Sequence, residues 1–96
     1  VDLYLIQSNI TGAFKVGRSD DPYTRVRTLQ TGSPYELRII LILPNRGHQE
    51  RDLHEKLRKY HTTGEWFSYE GLAELPSDIY ESLDLEIVDW WWVPQN

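Results

Sequence analysis

The chain has no cysteine among its 96 residues. That absence excludes a disulfide framework, a thiolate nucleophile and every cysteine-based zinc fold, and it leaves the redox compartment undetermined, although a reducing cytosol fits easily. Long apolar runs are missing too. The longest, Ile39 to Leu43, falls far short of the roughly 18 residues a membrane span needs, and no basic-then-apolar leader opens the chain. A soluble, cytoplasmic protein with no membrane partner is therefore expected. Lys and Arg are absent from Thr62 onward: all ten precede residue 62 and give that part a net +3, whereas the remainder carries −8, for a total of −5. A polyanion can meet only the front of the chain, and the acidic total argues against strong non-specific binding. The sequence contains no zinc finger and no long basic arm, and His48, Glu50 and His54 have the wrong order and spacing for HExxH, so a zinc-protease reading fails.

What is present describes one globular domain over residues 1–96, with 40% hydrophobic and 26% charged residues, long enough to bury a core without a disulfide or structural metal. Val1 to Ser8 and Ala13 to Arg18 read as a β-hairpin around the turn residues Asn9 to Gly12. Asp21 followed by Pro22 starts a helix that Gly32 stops, with Tyr23, Val26 and Leu29 as its inner stripe and Arg25 directed outward. Glu36 to Leu43 is apolar on both faces in its middle, which predicts a central strand covered from both sides. Gln49 to Tyr60 has helical period, with Leu53, Leu57 and Tyr60 inward. Glu65 to Tyr69 reads as a short extended segment, Leu72 to Leu83 as a helix interrupted at Pro76, and Leu85 to Val93 as a last strand carrying Trp90, Trp91 and Trp92. The expected class is α/β (α+β): a small, mostly antiparallel sheet of about three strands flanked by helices.

Glu50 is the anomaly in this pattern. It lies three and seven residues before Leu53 and Leu57, so a carboxylate occupies the face of the helix that should meet the sheet. A charge there requires a metal ion, a basic partner or a place at the open rim of the core. The bland alternative is an ion pair at the first helical turn. His54 shares the face of Glu50, as a helper at a site or as a satisfied histidine at the core edge; His48 and His61 fall at helix ends and carry less weight. Gly17 marks either a close approach or a bulge. Glu65-Trp66-Phe67 reads as a packing clamp.

Taken in order, Leu3-Tyr4-Leu5-Ile6, then Lys15-Val16-Gly17, then Arg25, then Glu50 through His54 and Gly64-Glu65-Trp66-Phe67 resemble the GIY-YIG nuclease superfamily, in particular a phage and bacterial branch in which lysine replaces the second tyrosine. The resemblance covers about residues 2–69 and leaves 70–96 as an acidic, tryptophan-rich extension. It implies hydrolysis of DNA phosphodiester bonds with one divalent cation, Mg²⁺ or Mn²⁺. In that reading Tyr4 activates or positions the attacking water, Arg25 holds the scissile phosphate and Glu50 binds the metal. Lys15 and His54 complete the catalytic set, and Lys15, Arg18 and Arg27 contact DNA. A guanidinium and a hard cation are the groups that charge accumulating on a phosphate requires, and a single carboxylate with waters suits Mg²⁺ or Mn²⁺. Lys15, in place of tyrosine, offers phosphate contact, proton transfer if its pKa is lowered, or the cation that Tyr4 needs beside it to act as a base. Two other readings stay open: a DNA-binding module of the same fold with little cleavage, and a protein-interaction domain using Trp90 to Trp92. Those tryptophans are also the candidate surface for a homodimer, which a double-strand cut would call for.

Overall fold

The computed structural model describes residues 1–84. Four strands, β1 (Asp2–Ser8), β2 (Phe14–Ser19), β3 (Leu37–Leu43) and β4 (Trp66–Phe67), form one antiparallel sheet in the order β3-β1-β2-β4. Three helices accompany it: α1 (Pro22–Thr31), α2 (Glu50–Lys56) and α3 (Ser77–Glu81). This is the expected antiparallel α+β arrangement, extended by the two-residue β4.

Alternation along β1 divides the interior in two. Leu3 and Leu5 point into the larger core with Phe14, Val16, Leu53, Leu57 and Phe67. Tyr4 and Ile6 point into a smaller cluster with Val26, Leu29 and Trp66. Thus α2 covers one face of the sheet and α1 covers part of the other.

Helix α1 starts as its sequence dictates, with the Asp21 carboxylate accepting from the Thr24 N–H at 3.2 Å and Pro22 at the first helical position. Its inner stripe differs from expectation. Pro22, Val26 and Leu29, at i, i+4 and i+7, face the sheet, and Tyr23 is 64% exposed because buried Pro22 takes the position at the start of that stripe.

The expected central strand, β3, is an edge strand among the described residues. Its doubly apolar run has another cause. Leu5 pairs with Leu41 and the next residue, Ile6, pairs with Ile39, so Ile40 is an extra residue in the ladder. This bulge turns Ile40 into the larger core together with Leu41, while Ile39 and Ile42 serve the smaller cluster. The outward carbonyl of Ile40 accepts from the Asp84 N–H at 3.0 Å.

The single helix expected over Gln49 to Tyr60 is three pieces: a 3₁₀ turn at Gly47–Gln49, α2, and a second 3₁₀ turn at Arg58–Tyr60. Its inner residues keep their roles, with Leu53 and Leu57 buried and Tyr60 packed against the same core. Gly47 binds this unit to the start of β1: its N–H donates to the Val1 carbonyl at 2.8 Å, and a Cβ there would lie 2.8 Å from that oxygen. The close approach sets where α2 begins and hence where Glu50 stands. The segment after β4 divides at Pro76 as expected, into a 3₁₀ turn at Tyr69–Glu74 and α3. Leu72, Leu75, Ile79 and Leu83 close the larger core. The expected strand from Leu85 to Val93, with its three tryptophans, lies outside the described residues.

Candidate active site

Tyr4 and Gly17 pair across β1 and β2. The ring of Tyr4, 1% exposed, covers the glycine so closely that a Cβ at residue 17 would fall 2.4 Å from Cζ and 2.5 Å from Oη. Gly17 is thus neither a bulge nor a turn residue; it is the floor on which the phenol lies. Beside the hydroxyl is Arg25, on α1. Burial raises the phenol's pKa above its usual value, and Arg25 opposes that rise through its hydrogen bond and its charge, while Glu50 adds to it. The cation acting on the phenol is Arg25, while Lys15, opposite Ile6, is the diagonal neighbour of Tyr4 on the same face. Burial is the largest of these influences, and the phenol's pKa lies above its usual value.

Lys15 lies two residues before Gly17 on the same face, 6% exposed, opposite Trp66 of β4. Burial, and then the charge of Arg25, lower its pKa, whereas Glu50 raises it. Its ammonium is in direct contact with the Glu65 carboxylate, which likewise favours the charged form.

On the other face, α2 presents Glu50 and, one turn later, His54. The hydrogen bond from the Ser8 N–H to the Ala13 carbonyl sets the phase of the hairpin, and alternation from there directs the backbone polar groups of Val16 away from β1. At that point β4 has ended, its last pair being Lys15 with Trp66. The His54 imidazole fills the missing rung: Nε2 lies 2.8 Å from the Val16 carbonyl, which makes Nε2–H the donor, and the ring stands edge-on to Phe67 at 5.2 Å. His54 is thereby both a satisfied residue at the core edge and a wall of the site.

Glu50 begins α2 half-buried. The four ion pairs among the described residues join Lys15 to Glu65, Arg38 to Glu36, Arg46 to Asp78 and Arg58 to Glu55, so the bland expectation of a basic partner for Glu50 is not met there. Its carboxylate stands at the open rim of the core. Arg18, His48, Glu50, Arg51, His54 and Glu65 line one cavity of about 620 Å³. The charge of Glu50 also acts across the β2 edge on both Tyr4 and Lys15. Two groups of side chains, Tyr4, Lys15 and Arg25 on one face of the sheet and Glu50 with His54 on the other, thus meet around the stretch of β2 that β4 leaves uncovered.

Arg18 belongs to this cavity. Arg27 does not: it lies on the side of α1 toward β3, in a groove with Tyr23, Gln30 and Arg38. Glu65 is the residue that sequence reasoning misses. Its signal is its place immediately before β4 and after Gly64, whose φ of +56° turns the chain, which brings a carboxylate to the end of a buried lysine.

The one carboxylate at Glu50 is a ligand of the type a hard divalent cation takes. Its carboxylate is half-buried and outside every described ion pair, and no group of three His, Asp or Glu side chains converges among the described residues. A cation held there takes most of its ligands from water and phosphate, the habit of Mg²⁺ and Mn²⁺.

A small α+β domain with a buried phenol, a guanidinium, a lysine and a rim carboxylate around one open strand edge has the features of a protein that handles phosphate esters. The chain belongs to the T5orf172 domain family, whose model matches residues 3–91. That domain occurs in phage and bacterial proteins and is linked to nuclease-like, GIY-YIG-like endonucleases, consistent with a nuclease-like or DNA-binding role. No curated protein and no solved structure matches the chain. No helix of the described residues is long and apolar enough to cross a membrane.

Proposed function

We infer that residues 1–96 form one GIY-YIG-type endonuclease unit that hydrolyses phosphodiester bonds of DNA with the help of a divalent cation, inside the cell where DNA is found. The observation that carries this reading is the meeting of Tyr4, Lys15 and Arg25 with Glu50 around the uncovered edge of β2. In it, Arg25 and Lys15 engage the scissile phosphate, and Arg18 extends the contact along the strand. Tyr4, its pKa raised by burial, positions the attacking water. Glu65 fixes the reach of the Lys15 ammonium, and His54 fixes α2 against β2 so that Glu50 faces the phosphate. Mg²⁺ or Mn²⁺ at Glu50 supplies, when bound, neutralisation of charge on the phosphate and the leaving oxygen. One such site cuts one strand, and a double-strand cut requires two copies.

The test is nicking of supercoiled plasmid at low salt with Mg²⁺ or Mn²⁺. The unaltered chain converts the plasmid to open circles, and Glu50→Ala and Arg25→Ala each slow the conversion by about 100-fold or more. Equal activity in all three preparations, or none in any, refutes the reading. A second reading, DNA binding with little cleavage, is favoured by the lysine at position 15, whose ammonium is held by Glu65. It expects salt-dependent binding and intact plasmid.

A further inference from the structure

Helix α1 covers only part of its face of the sheet. Beyond Trp66 that face opens into a second cavity of about 570 Å³, walled by Ala13, Leu29, Pro34, Leu37 and the rings of Tyr35 and Trp66. Its size is that of a small-ligand site. The lining contains no charged residue. Hydroxyls at its rim are turned into the loops: Ser33 bonds with the Tyr35 backbone, and Thr62 donates to the Trp66 carbonyl. What remains is an apolar slot with an aromatic wall, and Tyr35 is 47% exposed at its mouth.

The slot adjoins the candidate active site through Trp66. Trp66 and Lys15 form a cross-strand pair, and the phase of the hairpin makes it a pair without mutual backbone hydrogen bonds, so the side chains are close, with Cβ atoms about 5 Å apart. An uncharged aromatic cavity thus begins one strand from the cations Lys15 and Arg25. Cations along a backbone path with an aromatic ring beside it are the elements of single-strand recognition, in which phosphates meet the charge and bases stack on the ring.

We propose that the cavity receives one unpaired nucleobase, stacked on Trp66, from the DNA strand whose phosphate meets Lys15 and Arg25. The domain then selects DNA that carries a bulged, extruded or single-stranded nucleotide. This rests on the DNA reading above and adds the substrate class.

The experiment measures fluorescence anisotropy of two labelled duplexes of equal length and charge, without divalent metal. One has a single bulged nucleotide and the other a bulged abasic residue. The full chain binds the bulged base more tightly by about 5- to 150-fold, the range of one stacked base. Ala13→Leu narrows the slot, and Trp66→Leu keeps apolar packing but removes the ring. Each brings the ratio toward one while leaving affinity for the abasic duplex unchanged. Equal affinity of the unaltered chain for both duplexes, with plasmid nicking intact, overturns the proposal and spares the nuclease reading. Failure to bind either duplex overturns the proposal, and plasmid nicking measured on the same preparation decides the nuclease reading.

Discussion

Replacing Gly17 by alanine adds a single methyl group, and its cost follows from where that group must go. The new Cβ lies 2.4 Å from Cζ, 2.5 Å from Oη and 2.9 Å from Cε1 of Tyr4, all well inside van der Waals contact. The ring is 1% exposed and packs with Ile6 and Val26, so it has no open space into which to swing. Overpacking of this kind typically costs about 1–3 kcal/mol. For a domain of this size that corresponds to a fall of roughly 5–20 °C in melting temperature. Alanine is otherwise the better strand residue, by about 0.5–1 kcal/mol. The two effects separate in a double-mutant cycle. In the unaltered chain Gly17→Ala destabilises; in a Tyr4→Ala chain the clash is gone and the same change stabilises by about 0.5 kcal/mol. The coupling is therefore roughly 1.5–3.5 kcal/mol, read from urea unfolding followed by circular dichroism. If the two substitutions add within about 0.5 kcal/mol, the ring does not lie on Gly17 and the account of how Tyr4 is positioned is wrong.

Glu65→Gln removes the carboxylate from the Lys15 ammonium, so the lysine pKa falls further below its ordinary value, as a side-chain NMR titration would read. Glu65 is 53% exposed on its side chain, and solvent screening limits the loss of stability near neutral pH to about 0.5–1 kcal/mol. A lysine whose folded pKa is depressed makes stability rise with pH between its folded and unfolded pKa values, so this variant gains more from raising the pH than the unaltered chain; an unchanged Lys15 titration refutes the pairing. The Tyr4 phenol has the opposite sign. Its folded pKa is raised, so its contribution is full below the unfolded value of about 10 and is lost as pH rises through the folded value. Unfolding measured across that range loses this component in Tyr4→Phe, and identical alkaline profiles for the two chains would show that Tyr4 titrates normally.

The residue types of the site were legible from the sequence; the contacts among them were not. Tyr4, Arg25 and Glu50 stand out by the order and spacing of the family resemblance, and a carboxylate on the inner face of a helix calls for a metal ion, a basic partner or the rim of the core; the structure has Glu50 half-buried and outside every ion pair among the described residues. The cation acting on Tyr4 is not recoverable that way, because it depends on how α1 packs on the sheet, which brings Arg25 to the phenol. The misplacement of β3 has a similar origin. A run that is apolar on both faces reads as a buried central strand, but here one extra residue at Ile40 turns the side chains toward two cores while the strand remains at the edge. Helix α2 is shorter than its periodicity because 3₁₀ turns preserve the direction of Leu53, Leu57 and Tyr60 without preserving the helix. Glu65 escapes notice because its one local mark, a place between Gly64 and the Trp66-Phe67 segment, does not name a partner; the pairing of β4 with β2 brings it to Lys15.

The shortness of β4 links fold to site. Had it continued past Trp66, its next residue would have paired with Val16, leaving Glu65 in the ladder and the edge of β2 closed. The strand stops, so the carbonyl of Val16 requires another donor, and His54 supplies it. The same stop frees Glu65 to reach Lys15 and leaves the β2 edge open between Tyr4 on one face and Glu50 on the other. An unpaired strand edge is ordinarily a liability, open to pairing with another chain. Here a histidine from α2 occupies one of its acceptors, and the surrounding charges disfavour strand addition. A longer β4 therefore cannot be grafted onto this domain without dismantling the site: each further rung between β4 and β2 displaces His54 and closes the gap across which the phenol, the guanidinium and the carboxylate meet.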